Sequence, residues 1–216
     1  MSAAVGGQFE AFGILSRQVL LDAGLKDSDF LIDVGCGSGR LAHVLNVERY
    51  LGTDVVPELL QHAQSLCVGR NWRFELVDGI VIPEQDRTAD MVCFFSVFTH
   101  LLHEDSFRYL REAQRVLRPG GAAVISFLEF RLASHWPIFE HSVQAREEDT
   151  LKEHTQFLSR DTLAAWAAHT GLTIEATFDG DVPHINPPHP VTLDDGTIIP
   201  GPTSLGQSVC ILKKRA

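Results

Sequence analysis

The chain has 216 residues, of which 44% are hydrophobic and 21% are charged, a composition typical of a folded domain with a sizeable core. Its 18 basic residues stand against 28 acidic ones, giving a formal net charge of −10. This balance argues against a nucleic-acid-binding surface, because phosphate backbones are bound by clustered Lys and Arg. No apolar run approaches the roughly 20 residues that span a bilayer, so no membrane partner is expected.

The N-terminal stretch and the cysteines indicate the compartment. Residues 1–13 have neither a basic start nor a continuous apolar run, so no secretory signal is recognised. The four cysteines form no CxxC pair and are expected to be buried free thiols: Cys36, Cys67, Cys93 and Cys210. These observations together predict a cytoplasmic protein.

Helix and strand patterns alternate along most of the chain. Helices are predicted at 8–23, 38–46, 57–66, 103–118 and 158–172, the last capped by Ser159 and stopped by Gly171. Strands are predicted at 30–34, 49–54, 72–78, 89–96, 122–130, 173–178 and 207–214. Such alternation predicts an α/β fold, with right-handed βαβ units and a parallel sheet covered by helices on both faces. We expect one domain over residues 1–216.

Two segments, 131–157 and 179–205, break this alternation. The first is rich in aromatic residues and His without a clear period, and the second carries six prolines and an Asp-Gly turn at 195–196. Connections of this length are unusual in compact domains unless they are functional or disordered. We therefore expect both segments to be functional insertions.

The run LIDVGCGSGRL, residues 31–41, ends a predicted strand in a glycine-rich turn. Glycines at this edge of an open α/β sheet let backbone N–H groups face a ligand. The dinucleotide fingerprint G-x-G-x-x-G fits Gly35 and Gly37, but its third position is Arg40 and the next glycine is Gly39. A P-loop is absent, and the turn by itself leaves the ligand open.

Acidic residues end three consecutive predicted strands: Asp33, Asp54 and Asp78. Asp54 stands at the end of the second strand, where a carboxylate can accept hydrogen bonds from ribose hydroxyls. Asp78 can accept one from an exocyclic amine. Three acids suit a pyrophosphate poorly, whereas they complement a ligand with an ammonium group, a sulfonium, a ribose and an adenine.

The run LIDVGCGSGRL resembles motif I of the class I S-adenosylmethionine (SAM) dependent methyltransferases. The segments LGTDVVPELLQHAQ, FELVDG, DMVCFFSVFTHL and REAQRVLRPGGAAVIS resemble later motifs of that family in the same order, over roughly residues 28–128. The resemblance implies a Rossmann-like, seven-stranded, mostly parallel sheet with an antiparallel last strand. It also implies SAM as the cofactor and methyl transfer as the activity.

The family pattern, carried over residue by residue, implies a set of cofactor contacts. The set is Asp33, Gly35, Cys36, Gly37, Gly39, Asp54, Val55, Asp78, Gly79, Ile80, Phe95 and Ser96. Within it the glycine turn would follow the methionine part, Asp54 would hold the ribose, and Asp78 with the two residues after it would hold the adenine. Phe95 and Ser96 would border the methyl group, and Asp33 would be an orienting acid.

His100, in SVFTHLLHE, follows the fourth strand at the rim to which the methyl group would point. An oxygen acceptor of high pKa benefits from a base, so His100 is the predicted general base. The alternative is that His100 caps or packs at the start of a short helix. The sequence has FSVF where an Asn-Pro-Pro-Tyr signature would stand, which disfavours the amino-group methylation linked to that signature.

We expect the acceptor pocket to come from the two insertions. The predicted substrate contacts are His103, Arg131, Trp136 and His184, with His135, Phe139, His141 and His189 as further candidates. Trp136 and Phe139 could equally form a local core under a long loop, and His103 could lie on the polar face of a helix. His184 and His189 lie near Asp181 and Asp194, but proline-rich spacing does not fix ligand geometry, so no metal site is predicted.

Residues 157–214 are similar, more loosely, to bacterial methyltransferases that act on glycans and small metabolites. The expected function is therefore SAM-dependent O-methylation of a small polar acceptor, such as a sugar, a glycan or a secondary metabolite, by a monomer or a homodimer. C- or N-methylation and a non-catalytic SAM-binding module remain alternatives. An NAD-linked oxidoreductase is disfavoured by Arg40 and by the acidic strand ends.

Overall fold

The structure is a computed structural model that describes residues 7–150 and 154–215. Its helices are α1 (Phe9–Asp22), α2 (Pro57–Leu66), α3 (His103–Val116), α4 (Trp136–Glu147) and α5 (Arg160–Thr170). Its strands are β1 (Phe30–Val34), β2 (Arg49–Asp54), β3 (Arg73–Leu76), β4 (Ala89–Phe94), β5 (Leu117–Phe127), β6 (Leu172–Phe178), β7 (Val191–Thr192), β8 (Ile198–Ile199) and β9 (Ser208–Lys214). Within these ranges no helix is long and apolar enough to cross a membrane.

Seven strands form one sheet in the order β3-β2-β1-β4-β5-β9-β6. The first five strands of the chain pair in parallel, and β9 pairs antiparallel with both β5 and β6. This confirms the predicted Rossmann-like sheet with its antiparallel last strand. Because β9 runs the other way, its first residues meet the carboxyl ends of β1, β2, β4, β5 and β6 at one edge, where ligands bind in open α/β sheets.

The core lies on both faces of the sheet, since all five residues of β1 are buried. Ile32 and Val34 pack with side chains of α3 and α5, whereas Leu31 packs with α1 on the other face. Side chains alternate along a strand, so a continuous apolar run is what a sheet covered on both faces requires. All four cysteines are buried and free, as predicted.

The helix predicted at 38–46 is wrong, because only a short 3₁₀ turn forms there, at Ala42–Val44. Gly37 and Gly39 adopt left-handed φ values of 55° and 86°, which a right-handed helix cannot include. The remaining residues must reach Arg49, where β2 begins, and leave too little chain for a stable α-helix. Strand β5 also begins earlier than predicted, at Leu117, and ends at Phe127.

The two insertions contain more regular structure than the sequence predicts. Residues 136–147 form α4, and none of its residues is buried, which explains why no apolar period marks it. Strands β7 and β8 form a hairpin within 179–205, closed at the predicted Asp-Gly turn. Helix α5 agrees with its predicted caps, since Ser159 Oγ accepts the Thr162 N–H and Gly171 has a φ of 75°.

Candidate cofactor and acceptor site

The glycine turn follows β1 at the carboxyl edge of the sheet. The N–H groups of Gly35 and Cys36 both donate to the Thr53 carbonyl, at 2.8 and 2.9 Å, which fixes the turn against the end of β2. A Cβ on Gly35 would lie 2.6 Å from Val97 Cγ2, and one on Gly39 would lie 2.9 Å from Ala63 Cα. The glycines therefore let the turn approach both the loop after β4 and helix α2.

Asp54 holds this turn from the neighbouring strand. Its Oδ2 accepts the Gly37 N–H at 2.8 Å, and its Oδ1 accepts the Val56 N–H at 2.9 Å. Each carboxylate oxygen has two acceptor positions, so both oxygens keep capacity for hydroxyl donors from a ligand. The carboxylate is thus fixed in place by the backbone before a ribose arrives.

A cavity of about 180 Å³ opens beside Asp54. Its walls are Val34, Gly35, Thr53, Asp54, Val55, Val77, Gly79, Ile80, Val97, Leu101 and Tyr109. The sequence predicts five of these residues as cofactor contacts: Gly35, Asp54, Val55, Gly79 and Ile80. Asp78 is exposed between two of the walls, Val77 and Gly79.

The cavity matches the chemistry of a nucleoside, with a carboxylate for the ribose and aliphatic walls for the faces of the base. Tyr109 directs its hydroxyl to the Gly79 carbonyl at 3.4 Å, and the aliphatic walls suit the faces of an adenine ring. The residues present therefore fit SAM.

Asp33 and Phe95 lie on the α1 side of the sheet, away from this cavity. Asp33 is only 3% exposed and accepts the Tyr50 hydroxyl at 2.8 Å and the Cys93 thiol at 3.4 Å. Burial raises the pKa of Asp33 to about 6, an effect that these hydrogen bonds only partly oppose. Phe95 packs against the core on the same side. Asp33 thus supports the turn from beneath and does not line the cavity.

Cys36 lies in the turn with its side chain buried. Its sulfur occupies the space that a Cβ on Gly52 would enter, at 2.9 Å. Burial raises the pKa of the Cys36 thiol far above its usual range, so the side chain stays neutral. Only its backbone can take part in binding, as the sequence pattern implies.

Ser96 has a left-handed φ of 58° in the loop after β4. Three hydrogen bonds hold it there: the Ser96 N–H donates to Ser126 Oγ at 2.7 Å, Ser126 Oγ donates to Gln207 Oε1 at 2.7 Å, and Gln207 Nε2 donates to Ser96 Oγ at 3.0 Å. Strained backbone of this kind persists where the surroundings enforce it. Ser126 and Gln207 are absent from the predicted site, because no local pattern links three segments so distant in the chain.

His100 and His103 both contact the segment that precedes α5. His100 is exposed, and its Nδ1 lies 3.0 Å from the His154 carbonyl oxygen. A carbonyl can only accept, so Nδ1 carries the proton, and Nε2 is the basic nitrogen of the neutral ring. His103 Nε2 lies 3.1 Å from the Phe157 carbonyl oxygen, and its ring meets Trp166 edge-on. His103 therefore joins α3 to α5, while His100 stays at the rim.

Both insertions begin at a network of ion pairs around Glu129, just after β5. Arg160 donates two hydrogen bonds to this buried carboxylate, at 2.7 and 3.0 Å, and the Ser208 hydroxyl adds a third at 2.6 Å. Arg131 lies 3.5 Å from Glu129 and donates to Asp179 at 2.5 Å. Burial raises the pKa of Glu129, but the bonds from Arg160 and Ser208 more than offset this and leave it below its usual range. The starts of the two insertions are thus tied together.

Two further polar contacts extend this network. His135 is buried, with Nδ1 accepting the Glu129 N–H at 3.0 Å and Nε2 donating to the Gly206 carbonyl at 3.1 Å. Ser134 donates to Asp181 at 2.9 Å. The sequence predicts His135 and Arg131 as acceptor contacts. The protein itself engages both ring nitrogens of His135, whereas Arg131 pairs with Asp179 and stays half exposed.

The remaining predicted acceptor residues lie in helix α4 and in the second insertion, 179–205. Trp136 is 47% exposed and packs on Phe139, so this pair is not local core. His184 stacks on Phe178, with the ring centroids 4.7 Å apart, and its Nδ1 lies 2.9 Å from the Val182 carbonyl oxygen. His141 and His189 are exposed. In the described part of the chain, no three His, Cys, Asp or Glu residues are grouped so that they could hold a metal ion.

Six residues of the cavity wall lie outside the predicted set: Val34, Thr53, Val77, Val97, Leu101 and Tyr109. Two of them, Val97 and Leu101, stand four positions apart in the loop after β4, next to the predicted Ser96. Tyr109 reaches the cavity only because α3 packs across the sheet. The position of Val97 and Leu101 close to Ser96 in the sequence could indicate these two residues. Tyr109 can be assigned to the cavity only from the tertiary structure.

Residues 32–125 match the family model of the methyltransferase domain. A ubiquinone biosynthesis O-methyltransferase of Xylella fastidiosa (strain M23) is 25% identical over 154 residues, which cover 67% of this chain and 61% of that protein. A malonyl-[acyl-carrier protein] O-methyltransferase of Hahella chejuensis (strain KCTC 2396) is 30% identical over 150 residues, or 66% of this chain and 50% of that protein. This chain thus spans less than two thirds of the length of either relative.

A solved structure has the same fold. The magnesium protoporphyrin IX methyltransferase of Synechocystis PCC 6803, determined with bound SAH, superposes with a TM-score of 0.65 at 14% identity, covering 95% of this chain and 83% of that one. Strand order, glycine turn and family match agree with one another. By these observations residues 32–125 are similar to the methyltransferase domain, and the chain has the fold of a solved methyltransferase.

Proposed function

We propose that this protein transfers a methyl group from SAM to an oxygen atom of a small acceptor, such as a sugar, a glycan or a secondary metabolite. The observation that carries the proposal is the Asp54 carboxylate, which holds the glycine turn and itself lines the cavity beside it. The two relatives described above are both named O-methyltransferases, which supports oxygen as the accepting atom.

The chain's own residues bind and orient the reactants. Asp54 would accept hydrogen bonds from the ribose hydroxyls, and Asp78 with the backbone of Gly79 and Ile80 would bind the adenine. The glycine turn from Gly35 to Gly39 would lie along the methionine part. Bound SAM supplies an electrophilic methyl group on a sulfonium and leaves as S-adenosylhomocysteine, a neutral thioether.

His100 is the proposed base for the acceptor hydroxyl. His100 Nε2 would take the proton of that hydroxyl as the oxygen receives the methyl group that bound SAM would supply. The contact of Nδ1 with the His154 carbonyl supports this role, because it orients the ring and makes Nε2 the basic nitrogen.

We further propose that 131–157 and 179–205 are acceptor-side insertions of a single domain over residues 1–216.

Two measurements test the proposal. Calorimetric titration with SAM, and separately with NAD, checks the cofactor, and NAD binding without SAM binding would refute it. Release of S-adenosylhomocysteine is then followed with hydroxyl, amine and carbon acceptors. A hydroxyl acceptor well above background supports O-methylation, whereas exclusive methylation of an amine or a carbon would refute the choice of oxygen.

His100→Ala tests the base. The variant should retain SAM affinity and lose turnover by about 10²–10⁴-fold, the usual contribution of a general base. His169→Ala, which removes an exposed His from α5, is the control and should keep its turnover. A His100→Ala rate near that of the parent protein would exclude His100 from this role.

A further inference from the structure

Four aromatic side chains form one surface on the acceptor side, called the aromatic patch below: Phe130, Trp136, Phe139 and Phe157. Phe130 stacks on Phe157 with centroids 4.5 Å apart and ring planes 14° from parallel. Phe139 meets Phe130 edge-on at 5.1 Å, and Trp136 lies 5.3 Å from Phe139. Phe157 is buried beneath, whereas Phe130 is 55% exposed and Trp136 47%. The patch is therefore open on its outer side.

The core does not require the two exposed rings. No residue of α4 is buried, and two aliphatic residues of that helix, Ile138 and Val143, are also exposed. Contiguous exposed apolar surface on a folded domain commonly marks a binding site. The two exposed rings are therefore candidates for contact with a ligand.

The patch adjoins the proposed site of methyl transfer. The segment 154–158 lies between the loop after β4 and the end of β5: the Gln156 N–H donates to the Thr99 carbonyl at 2.7 Å, and the Leu158 N–H donates to the Leu128 carbonyl at 2.8 Å. Phe157 stands between these two anchors. The loop after β4 also supplies Val97 and Leu101 to the cofactor cavity. The patch thus neighbours the loop that helps to line the cavity.

The polar groups around the patch are already engaged with one another. Arg131 pairs with Asp179 and Glu129, Ser134 with Asp181, and His135 uses both ring nitrogens. Recognition of a sugar requires polar groups that answer its several hydroxyls, and leaving such groups unpaired is costly. The exposed rings of Phe130 and Trp136, in contrast, offer their faces to a flat aromatic ring.

We propose that the acceptor is an aromatic hydroxyl compound whose ring lies on Phe130 and Trp136, with its hydroxyl directed to the loop that carries His100. This inference rests on the proposed function and narrows it from small acceptors in general to phenol-type acceptors. The patch provides the ring contact, and the loop after β4 provides the base.

The test uses the full chain with SAH present and 2-naphthol as the probe, and measures binding by calorimetry. Trp136→Ala and Phe130→Ala should each weaken 2-naphthol binding by about 3- to 10-fold, the scale of one aromatic contact, while SAH affinity stays constant. Trp136→Phe should restore most of the loss. Val68→Ala, at an exposed apolar residue after α2, is the control and should change nothing. Unchanged 2-naphthol binding in both alanine variants would overturn the proposal.

Measurements of turnover distinguish a failure of the aromatic-acceptor proposal from a failure of the proposed O-methyltransferase function on which it rests. With 2-naphthol and SAM, Trp136→Ala should raise KM by the same factor and leave kcat nearly constant. If the protein methylates methyl glucoside and Trp136→Ala does not change that rate, the aromatic acceptor is overturned while O-methylation stands. Binding of 2-naphthol to the patch without any methyl transfer would support the aromatic site and count against the proposed function. If Trp136→Ala abolishes self-association of the protein but leaves 2-naphthol binding unchanged, the patch binds a second copy of the chain. That result would overturn the proposal.

Discussion

Gln207 donates a hydrogen bond to the Ser96 hydroxyl at 3.0 Å, across 111 positions of sequence. Gln207 immediately precedes β9, and Ser96 lies in the loop between β4 and the base candidate His100. The antiparallel strand therefore fixes the conformation of a loop whose next residue, Val97, lines the cofactor cavity. Ser126 completes this contact by bonding to both residues.

Ser126→Ala should destabilise the fold by about 1–3 kcal/mol, because the Ser96 N–H and Gln207 Oε1 each lose a partner in a part-buried site. Urea unfolding gives the free-energy difference. Ser65→Ala is the matched control, since that exposed hydroxyl bonds only to a carbonyl of its own helix, and should stay within about 0.5 kcal/mol. Equal effects for the two variants would mean that Ser126 does not hold the loop.

Gly35→Ala should cost more stability than Gly69→Ala. Both glycines have left-handed φ values, 72° and 84°, so each substitution carries a backbone cost of about 1–2 kcal/mol. Only at Gly35 does the added Cβ meet another group, Val97 Cγ2 at 2.6 Å. Urea midpoints of the two variants, together with Gly35→Ala/Val97→Ala, measure the clash directly. If Val97→Ala restores no stability to Gly35→Ala, the close contact is not its cause.

Asp54→Ala should weaken SAM binding by about 1–3 kcal/mol, the range for hydrogen bonds to a charged group. Asp54→Asn keeps one acceptor oxygen and should fall between the parent and the alanine variant. Calorimetry on folded protein gives the affinities, with Asp22→Ala at the exposed end of α1 as the control. Unchanged affinity in folded Asp54→Ala would remove this carboxylate from the ribose site.

The stability of the chain relative to Asp33→Asn should fall as the pH rises from 4 to 7. Burial raises the pKa of Asp33 from 3.8 to about 6, so the folded state holds this proton more tightly than the unfolded state. The resulting stabilisation is fully present below pH 3.8 and is lost as the pH rises through 6, with a total of about 2–3 kcal/mol. Unfolding free energies of the two proteins across this range measure the difference. A constant difference would mean that Asp33 titrates normally.

The sequence predicts the sheet well because most strands are short runs rich in apolar residues, as FLIDV shows for β1. The cofactor side is also accessible to prediction, since its glycines and Asp54 must stand at fixed positions for the turn to approach a ligand. Helix α4 is different. Its contacts with the rest of the protein are aromatic and partly exposed, so no apolar period announces it.

Contacts between distant segments explain why the other site predictions differ from the structure. Asp33 has the family's acidic residue type, but its environment depends on Tyr50 and Cys93 from two neighbouring strands. Arg131 and His135 have residue types suited to a ligand, yet Glu129 and Asp179 engage Arg131 and Gly206 bonds His135. Residue type alone does not reveal which polar groups a protein has already satisfied internally.

Helix α4 has a consequence for how this protein can change over evolutionary time. Because none of its residues is buried, substitutions along its length alter little of the free energy that holds the domain folded. The sheet and the Asp54 turn lie in a different part of the molecule and can stay constant meanwhile. Mutations of this one helix can therefore alter the aromatic patch without passing through unstable intermediates.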